Sequence, residues 1–103
     1  MYMEFDWDTH NRDKNKVKHE VEYFEAEEPF FNSPLFVLHD VDHSQNEDRY
    51  VVYGRTDKGR LLTVIYTIRD SKIRIISARD KNKKEKAFYQ LQSTSNEQTK
   101  STT

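Results

Sequence analysis

The sequence predicts an α+β fold: two short helices, then an antiparallel sheet of about four strands, then one C-terminal helix. Three observations lead there. Leu61 to Arg69 is rich in β-branched and aromatic residues, and turn signals at Thr56-Asp57-Lys58-Gly59 and Asp70-Ser71 flank it, as a meander of short strands requires. Charged, helix-permissive stretches precede that region, and apolar residues return at helical spacing after Asn82. Helices that flank a hairpin-built sheet, rather than alternate with its strands, are the mark of α+β architecture.

Element by element, Met3 to Trp7 alternates loosely and reads as a short first strand. Asp8 or Thr9 caps a helix that runs to about Lys18. Val17 is its only aliphatic residue, so it depends on tertiary support. A second helix spans Glu22 to Glu28. Tyr23, Ala26, Val21 and Phe30 offer its inward side, and Glu25, Glu27 and Glu28 stay wet. Pro29 lacks an N–H and ends or distorts this helix. Asn32-Ser33-Pro34 is a turn, Leu35 to Leu38 a short strand, and His39 to Asp48 a polar loop.

Three strands follow, Tyr50 to Arg55, Leu61 to Arg69 and Lys72 to Ala78. In the last, Ile73, Ile75 and Ser77 share one side, with Arg74, Ile76 and Ala78 on the other. Arg79 falls on the parity of Ile75 but can turn outward at the strand's exit. Asn82-x-x-Glu85 forms a capping-box variant, and Lys84, Ala87, Phe88 and Leu91 continue the helix. Beyond Gln92 no apolar residue remains. The expected organisation is one domain over 1–92 and a disordered polar tail over 93–103.

Only 34% of the 103 residues are apolar, so 13 aromatic residues must supply much of a small core. There is no cysteine, which excludes disulfides and thiolate metal sites. No apolar stretch is long enough to span a bilayer, and the acidic start lacks a signal-peptide core. These features fit a cytoplasmic protein that makes no membrane contact. The net charge of −1 conceals an asymmetry: residues 1–48 carry −9 and residues 49–103 carry +8. Such a division suits one cationic face for phosphates and one acidic face for a different partner, or simply two solvated surfaces.

No phosphate loop, HExxH pair or zinc-spaced Cys/His set occurs. Asp40, Asp42 and His43 form a loop cluster better read as turn formers, and neither a metal nor a cofactor is assigned. The residues left for chemistry are basic and phenolic: His43, Arg49, Tyr66, Arg74, Arg79 and Tyr89. RNA cleavage by internal transfer requires a base for the 2′-OH, cations for the phosphorane and an acid for the 5′-oxygen. Histidine titrates in the right range, and arginine presents a planar fork to phosphate. Each also has a structural reading. His43 can hold its loop, and His19 with Lys18 can cap a helix C-terminus. Arg49 can pair with Glu47 or Asp48, Arg74 with Asp70 or Asp57, and Tyr66 can be core. Lys81, Lys83, Lys84 and Lys86 make a solvated helix face that can also steer RNA.

The string Asp42-His43-Ser44-x-x-Glu47-x-Arg49-Tyr50 continues as Gly54-Arg55 and Gly59-Arg60-Leu61-Leu62-x-Val64-Ile65-Tyr66-Thr67. It closes with Ile73-Arg74-Ile75-Ile76-Ser77-Ala78-Arg79 and Glu85-x-x-x-Tyr89. Upstream lie Phe5-x-Trp7-Asp8, Asn15-x-x-Lys18-His19 and Val21-x-Tyr23-x-Glu25-Ala26. Over about residues 4 to 90 this resembles the BrnT family, the toxin half of type II toxin–antitoxin pairs. It departs from the family pattern at Glu20, where glycine is common. The resemblance implies a RelE-like fold, ribonuclease activity and growth arrest by RNA cleavage. It also implies neutralisation by a BrnA-type ribbon-helix-helix antitoxin, through which the pair would contact operator DNA. The residues matching the expected placement are Arg74, Arg79 and Tyr89, with His43 and Arg49 ahead of the middle strands. Lys18, His19, Arg60, Lys83 and Lys84 are the expected RNA contacts. The alternative is a catalytically silent co-repressor of a DNA-binding antitoxin.

Overall fold

A computed structural model describes residues 3–7, 9–43 and 47–101, without the side chains of 9, 11, 17, 43 and 95–101. Helix α1 spans Thr9–His19 and α2 spans Tyr23–Glu27. Strands β1 (Phe36–His39), β2 (Arg49–Arg55), β3 (Leu61–Arg69) and β4 (Lys72–Asp80) follow, and α3 (Lys83–Ser101) closes the chain. The four strands form one antiparallel sheet in sequence order. This is the predicted α+β arrangement.

The turns explain the order. Asp70 and Ser71 both adopt positive φ, 53° and 64°, as a two-residue hairpin of the type that matches strand twist demands. Gly59, at φ 88°, closes the β2–β3 turn, where Thr56 N–H donates to Arg60 O. The expected first strand shrinks to a single parallel bridge, Phe5 beside Ile73 on the outer edge of β4. Asp6 N–H donates to Ile73 O, and Ile73 N–H to Glu4 O. Pairing stops there because Trp7 leaves the edge, its indole N–H donating to Glu27 Oε2 at 2.6 Å. The Asp8 cap lies outside the described residues.

One face of the sheet carries the core. Val52, Leu62, Val64, Tyr66, Ile75 and Ala78 pack against Val21, Ala26 and Phe30. Burial of each such aliphatic side chain contributes roughly 1.5–3 kcal/mol. Tyr23, expected inside, stands on the surface with the Arg12 guanidinium 4.1 Å from its ring centre. Pro29 does end α2, passing into a 3₁₀ turn, Glu28–Phe30, that presses on β2 at Gly54. A methyl group on Gly54 would come within 2.7 Å of Pro29 Cβ, so only glycine fits that approach.

The strand β4 departs from simple alternation. Ile75 pairs with Tyr66 and Ser77 with Ile65, which leaves Ile76 as an extra residue, a β-bulge. The bulge reverses the parity beyond it. Ala78 therefore joins Ile75 on the core face, and Arg79 joins Arg74 on the opposite one. The same irregularity turns backbone groups toward α1: Asn15 Oδ1 accepts from Ala78 N–H, and Lys14 Nζ donates to Ile76 O, both at 3.3 Å.

Helix α3 begins with the predicted capping box, Glu85 N–H to Asn82 Oδ1 and Asn82 N–H to Glu85 Oε1, each 2.9 Å. It covers the β1–β2 side of the far face through Phe88, against Phe36 and Tyr53. The sequence placed the end of this helix at Gln92, but helical backbone continues to Ser101. Ser93 and Thr94 hydroxyls bond back to the carbonyls of Tyr89 and Gln90, which satisfies them within the helix.

Candidate functional site on the far face of the sheet

Cross-strand partners share a face, so the register assembles the site. Arg49 is opposite Thr67, which is opposite Arg74. Further along, Tyr53 is opposite Thr63, which is opposite Arg79. Two rows with arginines thus lie on the face away from the core, separated by the row Val51, Ile65 and Ser77. The bulge is what unites them, since strict alternation would send Arg79 to the other side.

Arg74 is 26% exposed and pairs with Asp6 at 3.3 Å, not with the expected Asp70 or Asp57. Asp6 reaches it because the N-terminal segment runs along the β4 edge. Arg74 Nε is buried without a hydrogen-bond partner among the described residues, so Asp6 does not fill its donor capacity. Thr67 Oγ1 donates to Asp48 O at 2.7 Å and fixes the entrance to β2 beside Arg49.

Arg79 makes a bidentate pair with Glu85, Nη1 to Oε1 at 2.8 Å and Nη2 to Oε2 at 2.9 Å. Its Nη1 also donates to Asp80 O at 3.2 Å. Thr63 Oγ1 donates to the same carboxylate at 3.0 Å. Burial acts to raise the Glu85 carboxyl, but hydrogen bonds from Arg79, the Asn82 N–H and Thr63 hold it below the usual range. Burial, and then Glu85, push the nearby Tyr53 phenol up.

Beneath this row lies a residue that sequence reasoning grouped with the solvated lysines. Lys81 is 4% exposed. Its ammonium donates to Gly54 O and Leu62 O and sits 4.4 Å from the centre of the Tyr89 ring. Burial lowers its pKa to about 8, against a smaller opposing effect of Glu85. The signal available in sequence was its place directly after a strand and before the Asn82 cap, where a side chain points back under the helix. Tyr89, proposed to assist chemistry, is 6% exposed and donates its hydroxyl to Pro34 O at 2.8 Å. Burial raises its phenol as well.

Arg60, expected to touch RNA, is a clamp. Its Nε and Nη2 grip the Asp80 carboxylate at 2.7 and 3.1 Å. Its Nη1 and Nη2 donate to Glu20 O and His19 O at the end of α1, at 2.9 and 3.2 Å. Glu25 adds a carboxylate at 3.4 Å. Lys18 and His19 line a cavity of about 360 Å³ with Glu20, Arg79 and Asp80. Lys83 and Lys84 stand exposed on the first turn of α3. His43 ends a 3₁₀ turn, Val41–His43, and its side chain lies outside the described residues. No cluster of three His, Cys, Asp or Glu side chains is close enough to hold a metal among the described residues.

Fold and site together define a small α+β protein whose antiparallel sheet buries one face and presents arginines on the other, a surface suited to a phosphate-bearing polymer. Over residues 7–85 the sequence matches the family described as the ribonuclease toxin BrnT of type II toxin–antitoxin systems, and the chain belongs to that family of enzymes. Family membership makes RNA the substrate and an antitoxin the partner. The chain is similar to the 1.1 Å crystal structure of the Brucella abortus ribonuclease toxin BrnT, with a TM-score of 0.59 and 21% identity. That match covers 80% of this chain and 100% of the other, and it bears on the fold. No curated protein matches the chain. Among the described residues, no helix is long and apolar enough to cross a membrane.

Proposed function

We propose that this toxin cuts RNA without a metal ion, by attack of a 2′-hydroxyl on the adjacent phosphate across the far face of the sheet. The observation that carries the reading is the bulge at Ile76, which brings Arg79 onto the face that holds Arg74 and Arg49. Arg74 and Arg79 offset charge on the phosphorane, because a preorganised guanidinium acts most strongly where water is partly excluded. Arg49 positions a phosphate. His43 keeps the role of acid or base that its loop suggests, and Lys83 and Lys84 attract the polyanion. Tyr89 acts from beneath the site, holding α3 and Lys81 in place.

Cleavage would arrest growth in the cytoplasm, and a BrnA-type ribbon-helix-helix antitoxin would neutralise it and tether the complex to operator DNA. The acidic N-terminal half, with −9 over residues 1–48, supports a basic partner of that kind. Purified protein is expected to cut RNA in EDTA. Arg74→Ala and Arg79→Ala are each expected to slow cutting at least about tenfold, the order of one lost charge-stabilising contact. Unchanged rates in both variants would refute the assignment, and activity abolished by EDTA would refute metal independence.

A further inference from the structure

We infer that the cavity between the end of α1 and the exit of β4 receives the scissile phosphate of RNA, with His19 as the base that removes the 2′-hydroxyl proton. The inference rests on the cleavage reading above and adds to it a residue and a place. The sequence reading left His19 between a helix cap and an RNA contact and gave it no part in proton transfer.

The lining makes the case. Lys18, His19, Glu20, Arg79 and Asp80 line an open hollow of about 360 Å³ on the surface. Of the two carboxylates, Asp80 is already held bidentately by Arg60. Glu20 is exposed, so solvent weakens its charge. Lys18, exposed like Glu20, and Arg79, whose charge is shared with Glu85, still act on the imidazole more strongly than Asp80 does. Glu85 occupies the Nη1/Nη2 end of Arg79 and Asp80 O a further Nη1 proton. Among the described residues, Nε and the second Nη2 proton have no hydrogen-bond partner, and this edge can take a phosphate bidentately.

The main chain at His19 is held as well. Its carbonyl accepts from Arg60 Nη2, and Glu20 turns the chain at φ 56° directly after it. Burial lowers the imidazole pKa below 6.5, and Lys18, Arg79 and Lys14 lower it further, while Asp80 opposes them. The shift favours the neutral ring, the form that can accept a proton beside cations that bind the anion. In the step itself the neutral imidazole takes the 2′-OH proton and the 2′-oxygen bonds to phosphorus. The P–O5′ bond breaks, its electron pair stays with the 5′-oxygen, and that oxygen takes a proton from water, so that His19 takes over the base's part that the reading above gave to His43. The products are a 2′,3′-cyclic phosphate and a 5′-hydroxyl.

The test compares wild type, His19→Ala, His19→Gln and Arg79→Ala on a labelled RNA oligonucleotide and on mRNA bound to ribosomes, from pH 4.5 to 8.5. Wild-type kcat/KM, which reports the free enzyme, is expected to rise with pH along an acidic limb displaced below the ordinary imidazole range. Both His19 variants are expected to lose about 100-fold or more in kcat with little change in KM. They should also lose that limb, and added imidazole should partly restore His19→Ala. A His19→Gln enzyme that keeps its rate and its acidic limb overturns the role while the ribonuclease reading stands. So does a loss confined to KM. Folded wild type that leaves both RNAs intact overturns the cleavage reading and this inference with it.

Discussion

Replacing Lys81 by methionine should remove a pH dependence of stability that the wild type carries in the alkaline range. Lys81 is 4% exposed, and its ammonium donates to Gly54 O and Leu62 O beneath Tyr89. Burial lowers its pKa from the ordinary 10.5 to about 8. A group whose folded pKa is depressed stabilises the fold above its unfolded pKa and loses that contribution as pH falls toward the folded value. For a lysine the relevant window is therefore pH 8 to 10.5. Wild type should gain stability relative to Lys81→Met as pH rises through it. At about 1.4 kcal/mol per pH unit, the full swing is about 3.5 kcal/mol. Part of it will be masked in wild type alone, since the raised Tyr53, Tyr66 and Tyr89 phenols act in the opposite direction near pH 10. The difference between the two proteins cancels that background. Urea titrations of both at pH 7, 8, 9 and 10 supply the measurement. Two stability curves that run parallel across this range would show that the Lys81 ammonium is not desolvated, and the reasoning would fail.

Two further substitutions probe the backbone. Gly54→Ala should cost about 1–3 kcal/mol by overpacking, because the new methyl would meet Pro29 Cβ at 2.7 Å; an unchanged urea midpoint would show that the 3₁₀ turn yields freely. Glu20→Gly should raise stability by about 0.5–1 kcal/mol, since Glu20 holds φ 56° and glycine relieves most of that strain at some entropic cost. A fall in melting temperature would mean that the Glu20 side chain contributes more than its backbone costs.

The helical spacing after Asn82 and the Asn82/Glu85 box located the start of α3, and Asp70-Ser71 located the β3–β4 hairpin, because each signal is local and acts through a few neighbouring residues. Tyr23 shows the limit of such signals. Its apolar ring suggested the core, yet Trp7 and Arg12 meet it at the surface. Lys81 shows the converse, a charge that local reading leaves in solvent and that packing places under a helix. For Arg60 the string Gly59-Arg60-Leu61 marked an important residue, but its work as a clamp between α1, α2 and β4 depends on elements 20 to 41 positions away.

By itself, the sequence determined the class of fold, the order of its elements, the family pattern and the presence of several arginines near one sheet. Those follow from periodicity, turn chemistry and residue identity, all of which are written along the chain. Only the tertiary structure decided which arginines act together. One unpaired residue, Ile76, shifts the register of β4 and turns Arg79 to the side of Arg74, and no period-2 reading carries that information. Packing of α1 against the same strand then set His19 beside Arg79, through contacts that join residues far apart in sequence.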